Sequence, residues 1–163
     1  MLNAAYLGVR AIEMDLREKI HNEFPKEGAP AYRLSDAIKD DDYGDTTYTF
    51  EETWETWEQI TDWQVVKSQV FFSFAPKNAA IYVLPRFMLF VLDEIEGILP
   101  QEYQSFGAGD AAVWFIESLK RKNYRNSGLS DSQISVIEQF LSLVYQDYDY
   151  SVTVTIDVAK EKP

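Results

Sequence analysis

Glu18 and the chain's only histidine, His21, stand three residues apart, the spacing at which two helical side chains share a face and can ligate a metal together. A two-metal carboxylate site draws on a second Glu-x-x-His pair and further glutamates, and no second histidine exists. His21 is therefore expected to be an ordinary exposed or capping residue. Any Ser-His-Asp triad would depend on the same side chain, yet no G-x-S-x-G elbow presents a serine. The lack of cysteine removes thiolate nucleophiles and Cys-ligated zinc together. Asp40 to Glu51 has acids at the first, third and last places of a calcium-loop-sized segment, but Gly44 and Asp45 stand in the reverse of the order an EF-hand turn requires. That leaves at most a loose cation site. Gly107-x-Gly109 is a dinucleotide fingerprint in fragment only, and Asp110 behind it would oppose a phosphate at a helix start, so the pair reads as a hinge or turn. Paired carboxylates for glycoside chemistry are available among 27 acids, but no spacing says which two would converge. No catalytic residue, metal or cofactor is assigned.

What remains is charge. The chain carries 27 acidic against 15 basic side chains, a formal -12, which repels phosphate backbones and argues against nucleic acid as a partner. The acid is uneven: Asp36, Asp40, Asp41, Asp42, Asp45, Glu51, Glu52, Glu55, Glu58 and Asp62 meet only Lys39 between positions 36 and 62. Overlapping its end is FEETWETWEQITDW, Phe50 to Trp63, with three of the four tryptophans. At about 100° per residue Phe50, Trp54 and Trp57 form one stripe of a helix, with Glu51, Glu55, Glu58 and Asp62 as a second row. Aromatics toward a core and acids toward water is the plain expectation. Trp63 falls off the stripe, which predicts either a helix end near Thr61 or a partly exposed indole that could anchor a partner.

The elements that would hold this segment follow from periodicity. Apolar residues at Leu2, Ala5, Tyr6, Val9, Ile12, Leu16 and Ile20 predict a helix over 2–24, ended by Pro25, Gly28 and Pro30. Tyr32 to Ile38 is a short helical candidate, and DDDYGDTT after it favours a turn or loop. Asp62 can cap a piece through Val65, Val66, Val70 and Phe71, for which a strand is nearly as acceptable. Ala79 to Ile95 is apolar on almost every side, a central helix that Pro85 must kink or split. Arg86 follows the proline, its stem packed and its head either in water or paired with a carboxylate. Asp110 reads as the cap of Ala111 to Lys122, with Val113, Trp114, Ile116 and Leu119 as its buried face and Lys120, Arg121 and Lys122 at the end where the helix dipole favours cations. Ser130-x-x-Gln133 is a capping box opening a strongly amphipathic helix. Residues 151–158 alternate apolar and polar as a half-buried strand would. The expected architecture is mainly α: a single-domain orthogonal bundle of about five to six helices over 1–150, with a strand-like tail over 151–163.

Composition agrees with one soluble domain: 163 residues, 46% hydrophobic, with ten Phe and ten Tyr to fill a core without metal or disulfide. The first residues mix charge with apolar side chains, unlike a signal peptide, and the longest apolar run is interrupted at Pro85 and Arg86, so the expectation is a cytoplasmic protein without a membrane span.

Trp57-Glu58 to Trp63, YVLPRFMLFVLDEI over Tyr82 to Ile95, and LSDSQISVIEQFLSLV over Leu129 to Val144 together resemble a group of small uncharacterised bacterial proteins classed as a domain of unknown function, with a Tyr-Leu-Pro-x-Phe-Leu helix and a Leu-Ser-x-x-Gln cap. The resemblance covers Trp54 to Val144; Val83 intervenes between Tyr82 and Leu84, and the acidic loop and tail lie outside it. It implies a bacterial origin and a helical core containing Pro85, and carries no activity with it.

Three function classes follow. A non-catalytic binding or inhibitory protein, such as the immunity partner of a basic bacterial toxin, would use Asp40, Asp41, Asp42, Asp45, Glu51, Glu55, Glu58 and Trp63 as its partner-binding face. An enzyme would use carboxylates beside Arg86 and tyrosines in a helical cleft. A homo-oligomeric structural domain, including a homodimer joined through the acidic segment and the cations near Lys120, is the third.

Overall fold

The computed structural model describes residues 4–104 and 107–146. These hold seven α-helices and two 3-10 turns and no strand, so the chain is mainly α as expected. The strand expected over 151–158 lies outside the described residues. Two compact units are present. One joins the chain's ends and contains α1 (Ala4–Glu23) and α7 (Asp131–Gln146). The other, Pro25–Leu129, contains α2 (Leu34–Asp41), α3 (Asp62–Lys67), α4 (Phe71–Phe74), α5 (Lys77–Ile95) and α6 (Ala108–Arg121).

In the first unit α1 packs against α7. Leu16, Ile20 and Phe24, four residues apart, are buried on one side, and Val136, Ile137, Phe140, Leu141 and Val144 on the other. Lys19 Nζ donates to Gln139 Oε1 at 3.1 Å and Gln133 Nε2 to the Glu23 carbonyl at 3.0 Å, so the two helices run antiparallel. The periodicity that placed Ile12 on the buried stripe is not obeyed there, since Ile12 is 59% exposed. The capping box is present in full: Ser130 N donates to Gln133 Oε1 at 2.9 Å and Gln133 N to Ser130 Oγ at 3.2 Å.

In the second unit α5 carries the core. Eleven of its residues, from Ala79 to Leu92, are buried, among them Leu84, Phe87, Met88 and Phe90. Pro85 neither splits nor ends it; the helix runs unbroken through 19 residues. An interior proline costs about 3 kcal/mol, whereas each large apolar side chain fully buried contributes about 1.5–3 kcal/mol, so the burial along α5 outweighs the missing hydrogen bond. The segment after Asp62 is helical rather than extended, with Thr61, one residue earlier than expected, as cap: Gln64 N donates to Thr61 Oγ1 at 3.2 Å. At α6 the cap is Gly107 at φ +74°, a conformation glycine adopts without steric cost, and Asp110 lies inside the first turn instead of preceding it. Val113, Ile116 and Leu119 are buried as expected, but Trp114 is 37% exposed.

Candidate acidic interaction surface

The expected helix through Phe50 to Trp63 does not form. Residues 50–56 have no regular structure, Trp57–Gln59 is a single 3-10 turn, and Thr56 is extended at φ -128°, ψ 154°. Three long-range attachments override the helical periodicity. Trp54 lies under the Arg33 guanidinium, 3.5 Å from its ring centroid, stacks on Tyr82 at 6.3 Å and accepts a hydrogen bond from Arg33 on its carbonyl. Trp57, fully buried, donates its indole N–H to the Pro25 carbonyl at 3.0 Å. Arg86 Nε donates to the Ile60 carbonyl at 2.6 Å. Locally, Gln59 Oε1 takes the backbone N–H groups of Glu55 and Thr56, closing a turn where a helix would have continued. Both tryptophans are core residues, as the plain reading expected, but reach the core from a loop.

The loop wraps α2. Glu52 accepts the backbone N–H groups of Leu34 at 3.2 Å and Ser35 at 2.6 Å, capping α2 from outside the helix, and also takes the Trp54 indole N–H at 2.5 Å. Asp36 accepts the Arg33 N–H at 2.7 Å at the same end. Asp40 and Asp41 are the last residues of α2 and Asp42 is its C-cap. The eight-residue helix thus separates these acids from the Glu52 end by about 10 Å at 1.5 Å per residue. The acids form a belt around α2 and its loops, not two rows on one helix.

Of the ten carboxylates between 36 and 62, several are absorbed by the fold. Asp36 lies 3.7 Å from Lys39, Glu58 3.2 Å from Lys26 and Asp62 2.5 Å from Arg86. Asp40 accepts the Tyr32 hydroxyl at 2.5 Å; burial, with that hydrogen bond second, pushes the Tyr32 phenol well above its ordinary value. Among the described residues no ion pair joins Asp41, Asp42, Asp45, Glu51 or Glu55 to a lysine or arginine, and Asp41, Asp45, Glu51 and Glu55 are exposed. Asp45 accepts both Thr47 Oγ1 at 2.5 Å and Thr47 N at 2.8 Å, which hold its carboxyl below the usual range and fix the turn.

Trp63 is half-exposed, edge-on to Phe50 at 5.1 Å with the Lys67 ammonium 5.9 Å from its ring. It therefore stands beside the Glu51 end of the belt. Two aromatics that periodicity did not single out are more exposed still: Tyr43, entirely in solvent at φ +55°, and Tyr48 at 72%. For Tyr43 the signal was in KDDDYGDTT, where no apolar residue stands two, three or four positions away on either side; Tyr48 has Phe50 at strand spacing and gave no such signal.

Among the described residues no three His, Asp or Glu side chains come together as metal ligands, and no helix is long and apolar enough to cross a membrane. Comparison of the chain with known protein families, with curated proteins and with solved structures finds no match.

Proposed function

We propose that this chain is a non-catalytic, acidic protein-binding domain whose belt from Asp40 to Glu58 captures a basic protein surface. One observation carries the reading. Asp41 and Asp42 stand beside Asp40 at the C-terminal end of α2, where the helix dipole is negative and each of these two carboxylates costs stability by about 0.3–1 kcal/mol instead of adding it. Among the described residues Asp41, Asp42, Glu51 and Glu55 form no ion pair with a lysine or arginine, so their concentration is read as serving a partner. Exposed Tyr43, Tyr48 and Trp63 supply rigid aromatic anchors beside the charge, the pairing that protein interfaces favour at their energetic centres. The finer reading is an inhibitor or immunity protein whose acidic belt covers a basic toxin or enzyme and uses electrostatic steering for fast capture.

The test begins with a photo-crosslinking amino acid at Tyr43, whose φ is compatible with few residues but whose side chain touches nothing. The crosslinked protein is identified, purified and titrated against the wild type and against Asp41→Lys, Asp42→Lys, Glu51→Lys, Glu55→Lys combined. The association rate is expected to fall by at least about tenfold and to lose most of its salt dependence. Equal rates for the two proteins, or a crosslinked partner with an acidic surface, would sink the proposal.

A further inference from the structure

Trp63 is the belt aromatic that the fold holds by one rim only. It lies in the first turn of α3, with Phe50 edge-on to it at 5.1 Å and 64°, while 42% of the residue stays in solvent. The Lys67 ammonium, four residues on and so on the same side of α3, stands 5.9 Å from the ring centroid. That is the outer limit, about 6 Å, for a cation attracted to an aromatic face. Lys67 is itself exposed, so this face of the indole is open to a cation arriving from solvent.

The same loop contains a completed arrangement for comparison. Trp54 carries the Arg33 guanidinium 3.5 Å from its ring centroid, with Arg33 Nη2 on the Trp54 carbonyl and the Glu52 carboxylate on the indole N–H. Tryptophan, guanidinium and carboxylate stand together there. At Trp63 the ring is present, and a carboxylate is attached to its aromatic neighbour, since Glu51 follows Phe50 in the chain and is exposed. Among the described residues neither Glu51 nor Lys67 forms an ion pair. The guanidinium is the missing part. Helical spacing accounts for Lys67 without any ligand, and its long contact leaves the ring weakly used. A guanidinium is planar and less strongly hydrated than an ammonium, so it lies flat on an indole and keeps N–H donors at its edge for a carboxylate. The two cations of this chain show that difference, 3.5 Å for the arginine against 5.9 Å for the lysine.

We infer that Trp63, with Phe50 and Glu51, is the subsite for an arginine side chain of the partner, its guanidinium stacked on the indole in place of Lys67 and its edge toward Glu51. The inference rests on the reading of the belt as a protein-binding face and adds a residue type to it. Diffuse negative charge takes lysine and arginine alike, whereas an open indole discriminates between them. Tryptophan and arginine are also the residues that protein interfaces concentrate at their energetic centres.

The probes are hexa-arginine and hexa-lysine peptides of equal charge, titrated into the full chain by calorimetry at about 20 mM salt, with the indole N–H resonances followed in parallel. Both are expected to bind with a Kd below about 1 mM, hexa-arginine about two- to fivefold more tightly, the range that a cation on an exposed aromatic supplies. Trp63→Leu keeps an apolar side chain against Phe50 and should abolish the preference, and Trp63→Phe should retain part of it. Asp41→Lys with Asp42→Lys should weaken both peptides alike and leave their ratio unchanged. In the wild type the Trp63 indole resonance should move more with hexa-arginine than with hexa-lysine, a readout that depends on no variant folding. Equal affinity for the two peptides, a preference that survives Trp63→Leu, or a Trp63 resonance indifferent to hexa-arginine would overturn the arginine subsite and leave the acidic belt standing. No binding of either peptide up to about 5 mM would overturn both.

Discussion

Arg86→Met is the sharpest test of how the acidic loop is held. The guanidinium, 12% exposed, spans two residues of the loop and α3: its Nε donates to the Ile60 carbonyl at 2.6 Å and its Nη2 to Asp62 Oδ1 at 2.5 Å. Methionine preserves the stem's packing on α5 and removes both polar contacts. A charged donor to a carbonyl contributes about 1.5–3 kcal/mol. The ion pair adds less than the 3–5 kcal/mol of a buried pair, about 1 kcal/mol, because the Asp62 side chain is 33% exposed and solvent screens it. The expected loss is about 3 kcal/mol, or a melting temperature lower by roughly 6–12 °C for a chain of this size. The assay is urea unfolding followed by tryptophan fluorescence. All four tryptophans lie within Pro25–Leu129, the unit that contains Arg86. Asp62→Asn and the double variant close the cycle, with an expected coupling of about 1 kcal/mol. A loss under about 1 kcal/mol for Arg86→Met, or a coupling indistinguishable from zero, would refute the role given to this contact.

Other consequences are open to the same assay. Glu52→Ala strips two backbone N–H groups and an indole of their acceptor and is expected to cost about 2 kcal/mol, with Glu52→Gln recovering part; equal stability of Glu52→Ala and wild type would show that α2 is not capped from the loop. Asp41→Lys and Asp42→Lys are expected to stabilise the unit by about 0.3–1 kcal/mol each, since lysine suits the C-terminal end of α2; a loss would mean that the carboxylates serve the fold. Burial raises the Asp110 carboxyl above its ordinary value. A raised acid favours the folded state while protonated, and that contribution is lost as pH rises through the folded value, so the ionised group burdens α6 at neutral pH. Asp110→Asn should therefore raise the urea midpoint at neutral pH and diminish the stability gained by wild type on acidification toward about pH 4.

How much of this was legible in the sequence differs from element to element. The box at Ser130 and Gln133 was readable because both hydrogen bonds close within three residues, with no need of the rest of the chain. The central helix was readable because a run apolar on every side has only the core to occupy, and that burial also decided the fate of Pro85. Charge and composition gave the acidic segment its place in the chain, and the absence of apolar residues around Tyr43 was there to be seen.

Tertiary contact decided the rest. Phe50 to Trp57 has the period of a helix, yet Arg33, Tyr82 and Pro25 hold Trp54 and Trp57 from positions distant in sequence, and each attachment is stronger than the few tenths of a kcal/mol per residue by which propensity distinguishes helix from loop. The same contacts sorted the carboxylates. A local pattern can count negative side chains, but only the folded chain brings Lys26 to Glu58 and Arg86 to Asp62 and leaves Asp41, Asp45, Glu51 and Glu55 facing water, because pairing depends on distance in space and the sequence fixes distance only along the chain.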